Sequence, residues 1–298
     1  MPLLRRETSM LTNLPDGRRL EVLVEGPADG LPLLVHTGTP SAPVRYGPLI
    51  DAATRLGLRT VVLSRPGYAE ATPRPGRSVA DVAGDVAAVL DAMGAGRFVT
   101  IGTSGGGPHA LACAALLPDR CAAAACVAGV APYPAEGLDW LAGMGRENVE
   151  EFQAAMAGDE PLRRYLQEQA QVLATVDATQ VVAAFGDLVS EVDQRSLTGE
   201  FAENTAASLR RSVSTGIAGW RDDDRAFVKD WGFPLGTGAP VAIWQGGQDR
   251  MVPYAHGGWL AARYPGARVH LLPEEGHLSL IAGGAAPILA ELVALASA

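Results

Sequence analysis

The sequence predicts an α/β fold in which a mostly parallel central sheet carries helices on both faces and holds an inserted helical cap. Short apolar runs alternate along the 298 residues with stretches whose apolar side chains recur at helical spacing, which is typical of a covered parallel sheet. The alternation stops over residues 133–238, where helical patterns occur without a convincing strand. A crossover between parallel strands needs only a few tens of residues. This stretch therefore predicts the cap, and residues 1–132 and 239–298 form the predicted core.

Each predicted element has a local justification. Apolar and β-branched runs favour strands, whereas apolar residues spaced three and four apart and closed by glycine or proline favour helices. The predicted strands, of which the first is an edge strand, are residues 18–24, 32–36, 59–63, 98–101, 121–130, 241–244 and 268–272. The predicted helices are residues 45–56, one from a capping box of Ser78 and Asp81 to Gly94, 108–117, one capped by Asp177 and Gln180 with Val181, Phe185, Leu188 and Val192 on its apolar face, 199–214, 220–233, 255–263 and 285–297.

The composition is that of an ordinary globular chain, with 48% hydrophobic and 19% charged residues. The net charge of −9 argues against nucleic acid or an anionic membrane surface as the main partner. Residues 1–14 lack a long apolar run and a small-residue cleavage site, so we expect no signal peptide. Polar residues and proline interrupt the apolar stretches at residues 110–131 and 281–298, so we expect no membrane span and a cytoplasmic location. Cys113, Cys121 and Cys126 have no C-x-x-C spacing and are expected to be buried thiols, not disulfides or metal ligands.

One serine lies within a run of glycines, in the sequence FVTIGTSGGGPHALACAALL of residues 98–117. The β-favouring start and the helical spacing after Pro108 place Ser104 at a sharp strand-to-helix turn. Gly102 and Gly106 flank it as G-x-S-x-G, the pattern of a nucleophile elbow, in which the serine backbone is strained and larger flanking residues would collide. A flexible glycine loop is the alternative, because this short pattern also arises by chance.

A nucleophilic serine needs a base, and the base needs an orienting carboxylate. Ligands of open α/β sheets collect at the carboxyl ends of the strands. Of the five histidines, His277 follows the last predicted strand and is best placed as the base, with a plain surface position as the alternative. The others are expected elsewhere: His36 beside the cleft as a residue that holds a loop, His109 in the packing of the elbow helix, His256 at a helix start facing solvent, and His270 inside a strand.

The same reasoning selects the acid. Asp249 follows the predicted strand at residues 241–244, whereas no acid follows the strand at residues 121–130 before Glu136. The alternative for Asp249 is a turn aspartate that bonds its own backbone. The chain order Ser104, Asp249, His277 is that of α/β-hydrolases.

Together these motifs resemble the α/β-hydrolase superfamily over nearly the whole chain. The stretches that carry the resemblance are Gly38-Thr39-Pro40, Arg65-Pro-Gly-Tyr68, Gly102-Thr-Ser-Gly-Gly106, Gly246-Gly-Gln-Asp249 with Val252-Pro253, and Gly276-His277. The resemblance implies an oxyanion hole formed by the backbone N–H groups of Thr39 and Gly105.

The chain departs from the family pattern at two positions. Thr37 stands directly before the glycine of the oxyanion loop, where family members often carry histidine, and His36 lies one position earlier. Ser64 stands where many members have aspartate before the R-x-G turn, so we expect a common supporting salt bridge to be absent.

A serine at the elbow points to acyl chemistry, and a carboxylic ester of small or medium size is the simplest substrate. A proline-iminopeptidase-like aminopeptidase is an alternative, with Glu147, Glu150 and Glu151 to hold the substrate ammonium. Carbon–carbon bond hydrolysis, perhydrolysis and a non-catalytic ligand-binding role are further alternatives. No phosphate loop, metal cluster or dinucleotide fingerprint occurs, so no cofactor and no metal are expected. The oligomeric state is left open, and the candidate pocket residues of the cap are Trp140, Met144, Phe152, Tyr165 and Phe185.

Overall fold

An eight-stranded sheet forms the centre of the molecule. The computed structural model describes residues 9–298. The strands are β1 (Ser9–Asn13), β2 (Arg19–Glu25), β3 (Leu31–His36), β4 (Leu58–Leu63), β5 (Phe98–Thr103), β6 (Cys121–Val127), β7 (Val241–Gly246) and β8 (Arg268–Leu272). They lie in the order β1-β2-β4-β3-β5-β6-β7-β8. β2 pairs antiparallel with β1 on one side and with β4 on the other, and the pairs from β4 through β3, β5, β6 and β7 to β8 are parallel. The predicted α/β fold with a mostly parallel sheet is confirmed.

Helices cover both faces of this sheet. Those outside the stretch between β6 and β7 are α1 (Gly47–Arg55), α2 (Val82–Ala92), α3 (Gly107–Leu116), α10 (Tyr254–Ala261), α11 (Ser279–Ala282) and α12 (Ala286–Ala296). One apolar cluster joins one face to α2, α3 and α10 through Val86, Leu111 and Leu260. A second cluster joins the other face to α1 and α12 through Ala53 and Leu289. Burial of apolar surface on both sides is the main force that holds the layers together.

The chain between β6 and β7 is helical. It carries α4 (Arg146–Ala157), α5 (Asp159–Leu173), α6 (Val181–Phe185), α7 (Glu191–Ser196), α8 (Gly199–Ser212) and α9 (Ala218–Phe227), and within residues 9–298 this stretch contains no strand, as predicted. We call residues 133–238 the helical segment. Its own apolar cluster includes Leu162, Leu166 and Leu209, whereas Phe227 packs into the main core.

Three predictions about the elements are wrong, and the helix predicted at residues 220–233 also ends early, at Phe227. The strand predicted at residues 18–24 is not an edge strand, because β1 pairs with its outer side. The sequence does not indicate β1 because this strand has no buried apolar face and so no alternating pattern. Its apolar side chains Met10 and Leu11 are about half exposed. The strand predicted at residues 121–130 ends at Val127, before Ala128 turns with φ +49°.

The third error is a helix that breaks. The predicted apolar face from Val181 to Val192 belongs to two helices, since α6 ends at Phe185 and α7 begins at Glu191. Gly186 has φ +56° between them, and a Cβ there would overlap the carboxylate of Glu147. Helical spacing alone cannot show such a break, because a glycine also fits a continuous helix at modest cost.

The sequence also predicts that the protein has no signal peptide and no membrane span. Residues 1–8, most of the stretch on which the expectation of no signal peptide rests, lie outside the described residues. Within residues 9–298, no helix combines the length and the apolar character that a membrane crossing requires.

Candidate active site

Ser104 lies at the carboxyl end of β5, where the chain turns sharply into α3. Its φ of +55° is a left-handed conformation that non-glycine residues seldom adopt. A Cβ on Gly102 would overlap the carbonyl oxygen of Gly106, and a Cβ on Gly106 would overlap that of His36. Glycine is therefore required on both sides of Ser104, and the strand, turn and helix that the sequence predicted are present.

Asp249 and His277 meet at the ends of neighbouring strands. His277 Nδ1 lies 2.7 Å from Asp249 Oδ2, and both side chains are at least 95% buried. The loops that follow β7 and β8 can approach each other because Gly246 has no Cβ. A Cβ at this position would overlap the Gly276 carbonyl oxygen. The contact places a proton on Nδ1 and leaves Nε2 free to accept one.

The carboxylate of Asp249 is itself fixed by the chain around it. Its Oδ1 accepts from the backbone N–H groups of Met251 and Val252 at 2.9 and 2.8 Å. Its Oδ2 also accepts from the Gln245 amide at 2.9 Å. These donors hold Asp249 as an acceptor toward His277. Asp249 thus fits both interpretations: Oδ1 bonds the backbone of its own turn, and Oδ2 contacts the His277 ring.

His277 has two carboxylates near its ring and its backbone. Burial acts to lower the pKa of His277, but the charge of Asp249, its hydrogen bond to the ring and the charge of Asp193 raise the pKa above its ordinary value. The imidazole is therefore a stronger base than a free histidine.

Ser104 and His277 line one cavity of about 200 Å³. Its wall also includes Gly38 and Met251, together with Phe185, Phe201 and Leu209 of the helical segment. No hydrogen bond joins Ser104 to His277 within residues 9–298, and such bonds are often long before substrate binds. The wall carries no Asp, Glu, Lys or Arg side chain in the described part of the chain, so His277 is its one titratable group apart from the Ser104 hydroxyl.

The loop after β3 lies directly against Ser104. A Cβ on Gly38 would stand 3.7 Å from Ser104 Oγ, and a Cβ on Gly105 would overlap the Thr39 side chain. Within the described residues, the Thr39 N–H has no protein acceptor. The N–H of Gly105 belongs to the first turn after the strand, where helical N–H groups have no partner within the helix. The two residues that the resemblance implied for an oxyanion hole are thus neighbours beside Ser104.

Arg65 binds the loop that follows β3. It donates to the carbonyl oxygens of Thr37 at 2.6 Å and Gly38 at 2.7 Å, and it pairs with Asp223 of α9 at 2.6 Å. Arg77 pairs with the same carboxylate at 2.6 Å. Burial acts to raise the pKa of Asp223, but the charges of Arg65 and Arg77 outweigh it and hold that pKa well below the usual range.

Arg65 thus has a carboxylate partner, although this partner does not come from position 64, where many family members have aspartate. Ser64 does not supply a carboxylate, and its hydroxyl donates to the Tyr68 carbonyl oxygen at 3.0 Å. The carboxylate comes from Asp223, which is 158 residues away along the chain. The sequence RDDDR at residues 221–225 is typical of a solvated helix surface. No local signal therefore indicates that Asp223 pairs with Arg65.

Asp193 of α7 contacts the loop that carries His277. Its two oxygens accept from the backbone N–H groups of His277, Leu278 and Ser279 at 3.0, 2.7 and 3.0 Å. Ser190 donates to it as well, at 2.9 Å. Sequence reasoning did not select Asp193, because the pattern S-x-x-D before a short helix looks like an ordinary helix start.

The remaining histidines lie away from the reacting position. His109 Nδ1 bonds the Gly105 carbonyl oxygen at 2.9 Å within the packing, as expected. His36 contacts Cys113 Sγ at 3.6 Å and does not hold a loop, and burial with the charge of Arg65 lowers its pKa to about 3.

His256 does not face solvent, contrary to expectation. It is fully buried, accepts from the Ala131 N–H at 3.1 Å and lies 2.9 Å from the Trp140 carbonyl oxygen, because α10 begins against the loop that follows β6. Burial lowers the pKa of His256 to about 4. His270 lies in β8, as expected, and bonds Glu291.

Other candidates divide in a simple way. Of the five proposed pocket residues, Phe185 lines the cavity and the others pack elsewhere. Glu147, Glu150 and Glu151 do not line it, and Glu136 is exposed and does not line it either. Cys113, Cys121 and Cys126 are free buried thiols, as predicted. Within residues 9–298, no group of His, Cys, Asp or Glu side chains has the arrangement of a metal site.

Comparison with known proteins assigns this architecture to a family. The sequence pattern of the α/β hydrolase fold matches residues 32–283. The chain therefore belongs to the α/β hydrolase fold family of enzymes.

Individual relatives are more distant. The chain is 29% identical over 151 residues to epoxide hydrolase B of Mycobacterium tuberculosis, a match that covers 48% of this chain and 41% of that protein. It is 32% identical over 146 residues to a non-heme chloroperoxidase of Streptomyces lividans, covering 48% of this chain and 53% of the relative. The matches thus span about half of these curated relatives or less. Among solved structures, the enol-lactonase from Burkholderia xenovorans LB400 superposes with a TM-score of 0.69 at 18% identity, covering 97% of this chain and all of the other.

Proposed function

We propose that the protein is a serine hydrolase of small, uncharged carboxylic esters, with Ser104 as nucleophile, His277 as base and Asp249 as orienting acid. The contact that supports this proposal best is that between His277 Nδ1 and Asp249 Oδ2, at 2.7 Å, in the wall of the cavity that Ser104 also lines. The strained turn at Ser104, with φ +55°, presents its hydroxyl to the same space.

The reaction follows from these positions. His277 Nε2 takes the proton of Ser104 Oγ as the oxygen attacks the ester carbonyl, and the N–H groups of Thr39 and Gly105 receive the negative charge that develops on the carbonyl oxygen. The alcohol leaves with the proton from His277, and an acyl-enzyme remains. Water then attacks that ester, giving a proton to His277, and the acid leaves as Ser104 recovers its proton.

The cavity supports a small and neutral substrate. Its volume of about 200 Å³ is modest, and the described residues give it no charged side chain other than His277 when protonated. An aminopeptidase would need a carboxylate in the cavity to bind the substrate ammonium. Glu151, one of the three candidates for this role, instead accepts from the Trp220 indole at 2.8 Å inside the helical segment. This observation favours the ester over the iminopeptidase interpretation.

The helical segment supplies one wall of the cavity. Phe185, Phe201 and Leu209 come from α6 and α8 and face the space that Ser104 and His277 line. We propose on this basis that residues 133–238 act as a cap that limits substrate length.

Epoxide opening is not proposed, although one relative carries that name. Attack of a serine oxygen on an epoxide would give an ether, which water does not hydrolyse, whereas attack of a carboxylate gives an ester that water can open. Perhydrolysis is the second candidate, supported by the 32% identity to a non-heme chloroperoxidase over 146 residues. In that reaction hydrogen peroxide would replace water in opening the acyl-enzyme, and a peroxy acid would leave.

The test is a substrate panel. p-Nitrophenyl esters with acetyl to octanoyl groups should be hydrolysed, with short chains preferred, and proline or alanine p-nitroanilides should not. Ser104→Ala should abolish ester turnover while the protein stays folded. Addition of hydrogen peroxide with acetate ester, followed by measurement of peroxy acid, separates the second candidate. Cleavage of prolyl anilides without esterase activity would contradict the proposal, and so would binding of esters without turnover.

A further inference from the structure

We propose that Asp193 is a positioning residue for His277, by which the helical segment fixes the base of the reaction. This inference rests on the proposed role of His277. It concerns a residue outside the Ser–His–Asp pattern, on a part of the chain that the motifs do not reach.

The contacts of Asp193 are specific to one loop. Three consecutive backbone N–H groups, those of His277, Leu278 and Ser279, point to its carboxylate at 2.7 to 3.0 Å. The Ser190 hydroxyl supplies a fourth donor at 2.9 Å. A carboxylate has about four lone-pair positions for acceptance, so these donors satisfy Asp193 fully.

The loop is shaped to fit this carboxylate. A Cβ on Gly276 would overlap the Asp193 side chain, with the Asp193 Cγ only 2.5 Å away. Asp193 is completely buried, and no cation pairs with it within residues 9–298. Backbone N–H groups are therefore the main compensation for its charge, and the carboxylate and the loop hold each other in one arrangement.

Two carboxylates thus fix His277 at two different points. Asp249, from the loop after β7, bonds the ring at Nδ1, and Asp193, from α7, bonds the backbone N–H of the same residue at 3.0 Å. The first sets the tautomer and the second sets where the side chain originates. A shift of the backbone would move Nε2 relative to Ser104, and small misplacements of a catalytic group lower rates strongly. The negative charge of Asp193 also favours protonated His277, together with that of Asp249.

Asp193→Asn is the direct test, because it keeps the shape and removes one accepting oxygen along with the charge. We expect kcat for p-nitrophenyl acetate to fall about 10- to 100-fold with KM within about two-fold, as expected for loss of orientation rather than binding. The midpoint of the kcat/KM pH profile should move to lower pH, since one of the two charges that stabilise protonated His277 is gone. A purely structural role would lower the melting temperature but leave kcat unchanged at a pH where His277 is neutral, even though loss of the charge moves the midpoint.

Asp187→Asn is the matched control. Asp187 is a half-exposed acid of the same helical segment, and it does not contact His277. It pairs with Arg250, the residue that follows Asp249 in the sequence. This variant should keep the wild-type kcat and pH midpoint. If Asp193→Asn does not fold, Ser190→Ala replaces it: this change leaves the carboxylate with three of its four donors and should lower kcat several-fold at constant KM.

The outcomes separate this inference from the proposed function. If the wild-type protein hydrolyses no ester, and an organophosphonate does not label Ser104, the proposed function fails. If wild type is active and folded Asp193→Asn keeps its kcat at a pH where His277 is neutral, the positioning role alone is overturned, whether or not the pH midpoint moves. An unchanged kcat in Ser190→Ala, where that variant is the one tested, also overturns it.

Discussion

Arg65 and Asp223 form a buried ion pair, 2.6 Å apart, that joins the loop beside Ser104 to helix α9. The Arg65 guanidinium also bonds two carbonyl oxygens of that loop, those of Thr37 and Gly38. In a trans peptide the N–H points opposite to the carbonyl oxygen, so the N–H groups of Gly38 and Thr39 point away from Arg65. The helical segment therefore contacts the proposed site at two places, through Asp223, which pairs with Arg65, and through Asp193, which accepts from the loop that carries His277.

Asp223→Asn should destabilise the protein and reduce activity together. Removing one partner of a buried pair leaves uncompensated charge, here on both Arg65 and Arg77, and commonly lowers the free energy of unfolding by about 3–5 kcal/mol. Urea unfolding at pH 7 measures this loss. Glu160→Gln, which removes an exposed pair with Arg163, is the control and should change the free energy of unfolding by less than about 1 kcal/mol. Similar stability losses in the two variants would contradict the account of Arg65.

Ester hydrolysis should rise with pH through the pKa of His277. The neighbouring carboxylates raise that pKa above its ordinary value, and the ring must be neutral to accept the Ser104 proton. The midpoint of the kcat/KM profile should accordingly lie above about 6.5, the usual histidine value. Asp249→Asn should move the midpoint down and lower kcat by about four orders of magnitude, because the amide disfavours the required tautomer. Near-normal turnover in this variant would exclude Asp249 as the orienting acid.

A second, mostly apolar cavity of about 110 Å³ adjoins the first and shares Thr37, Phe201 and Asn204 with it. A cavity of about 150 Å³ in another protein accommodates benzene, so this one suits a short acyl chain. Leu49→Phe narrows it without touching the first cavity. We expect a loss of kcat/KM of at least about ten-fold for the butyrate ester and little change for the acetate ester, since butyrate has two more methylenes and each in an apolar pocket is worth about ten-fold or more.

Leu209→Phe is the comparison for this prediction, because Leu209 lines only the first cavity. It should slow acetate and butyrate esters alike. If Leu49→Phe lowers both rates equally, or changes only the preference among alcohols of acetate esters, the second cavity does not receive the acyl chain.

Glu151→Gln should stabilise the protein at alkaline pH. Burial raises the pKa of Glu151 to about 7 and, together with the charges of Glu151 and Asp223, raises the pKa of the neighbouring Asp224, so this buried pair holds protons in the folded protein that the unfolded chain releases between about pH 3.8 and 4.5. The stability of the wild type should decline as pH rises from about 4.5 through 7, whereas glutamine does not titrate and can still accept from the Trp220 indole. Thermal unfolding at pH 5 and pH 8 checks the sign: the variant should gain at pH 8 relative to pH 5. A loss at pH 8 would contradict it.

The parts of the fold and the site that the sequence predicted are those with local signals. Gly102 and Gly106 form a short G-x-S-x-G pattern around Ser104, although the contact that requires Gly106 comes from His36 at the end of β3. Asp249 and His277 follow apolar strands that are recognisable by themselves. Asp193 and Asp223 act on partners 84 and 158 residues away along the chain. In the sequence they look like the solvated acids of any surface helix, so only the tertiary structure shows what they touch. The edge strand β1 was missed for a related reason, since its exposed side chains give no pattern.

The most direct test of the proposed site is covalent labelling of Ser104. An organophosphonate transfers its phosphorus to an activated serine oxygen, and peptide mass spectrometry identifies the modified residue. The account predicts one label per chain on the peptide that contains Ser104, loss of the label in Ser104→Ala, and labelling slowed in proportion to kcat in His277→Ala. A label on another residue, or ester turnover that persists in Ser104→Ala at the wild-type rate, would contradict it.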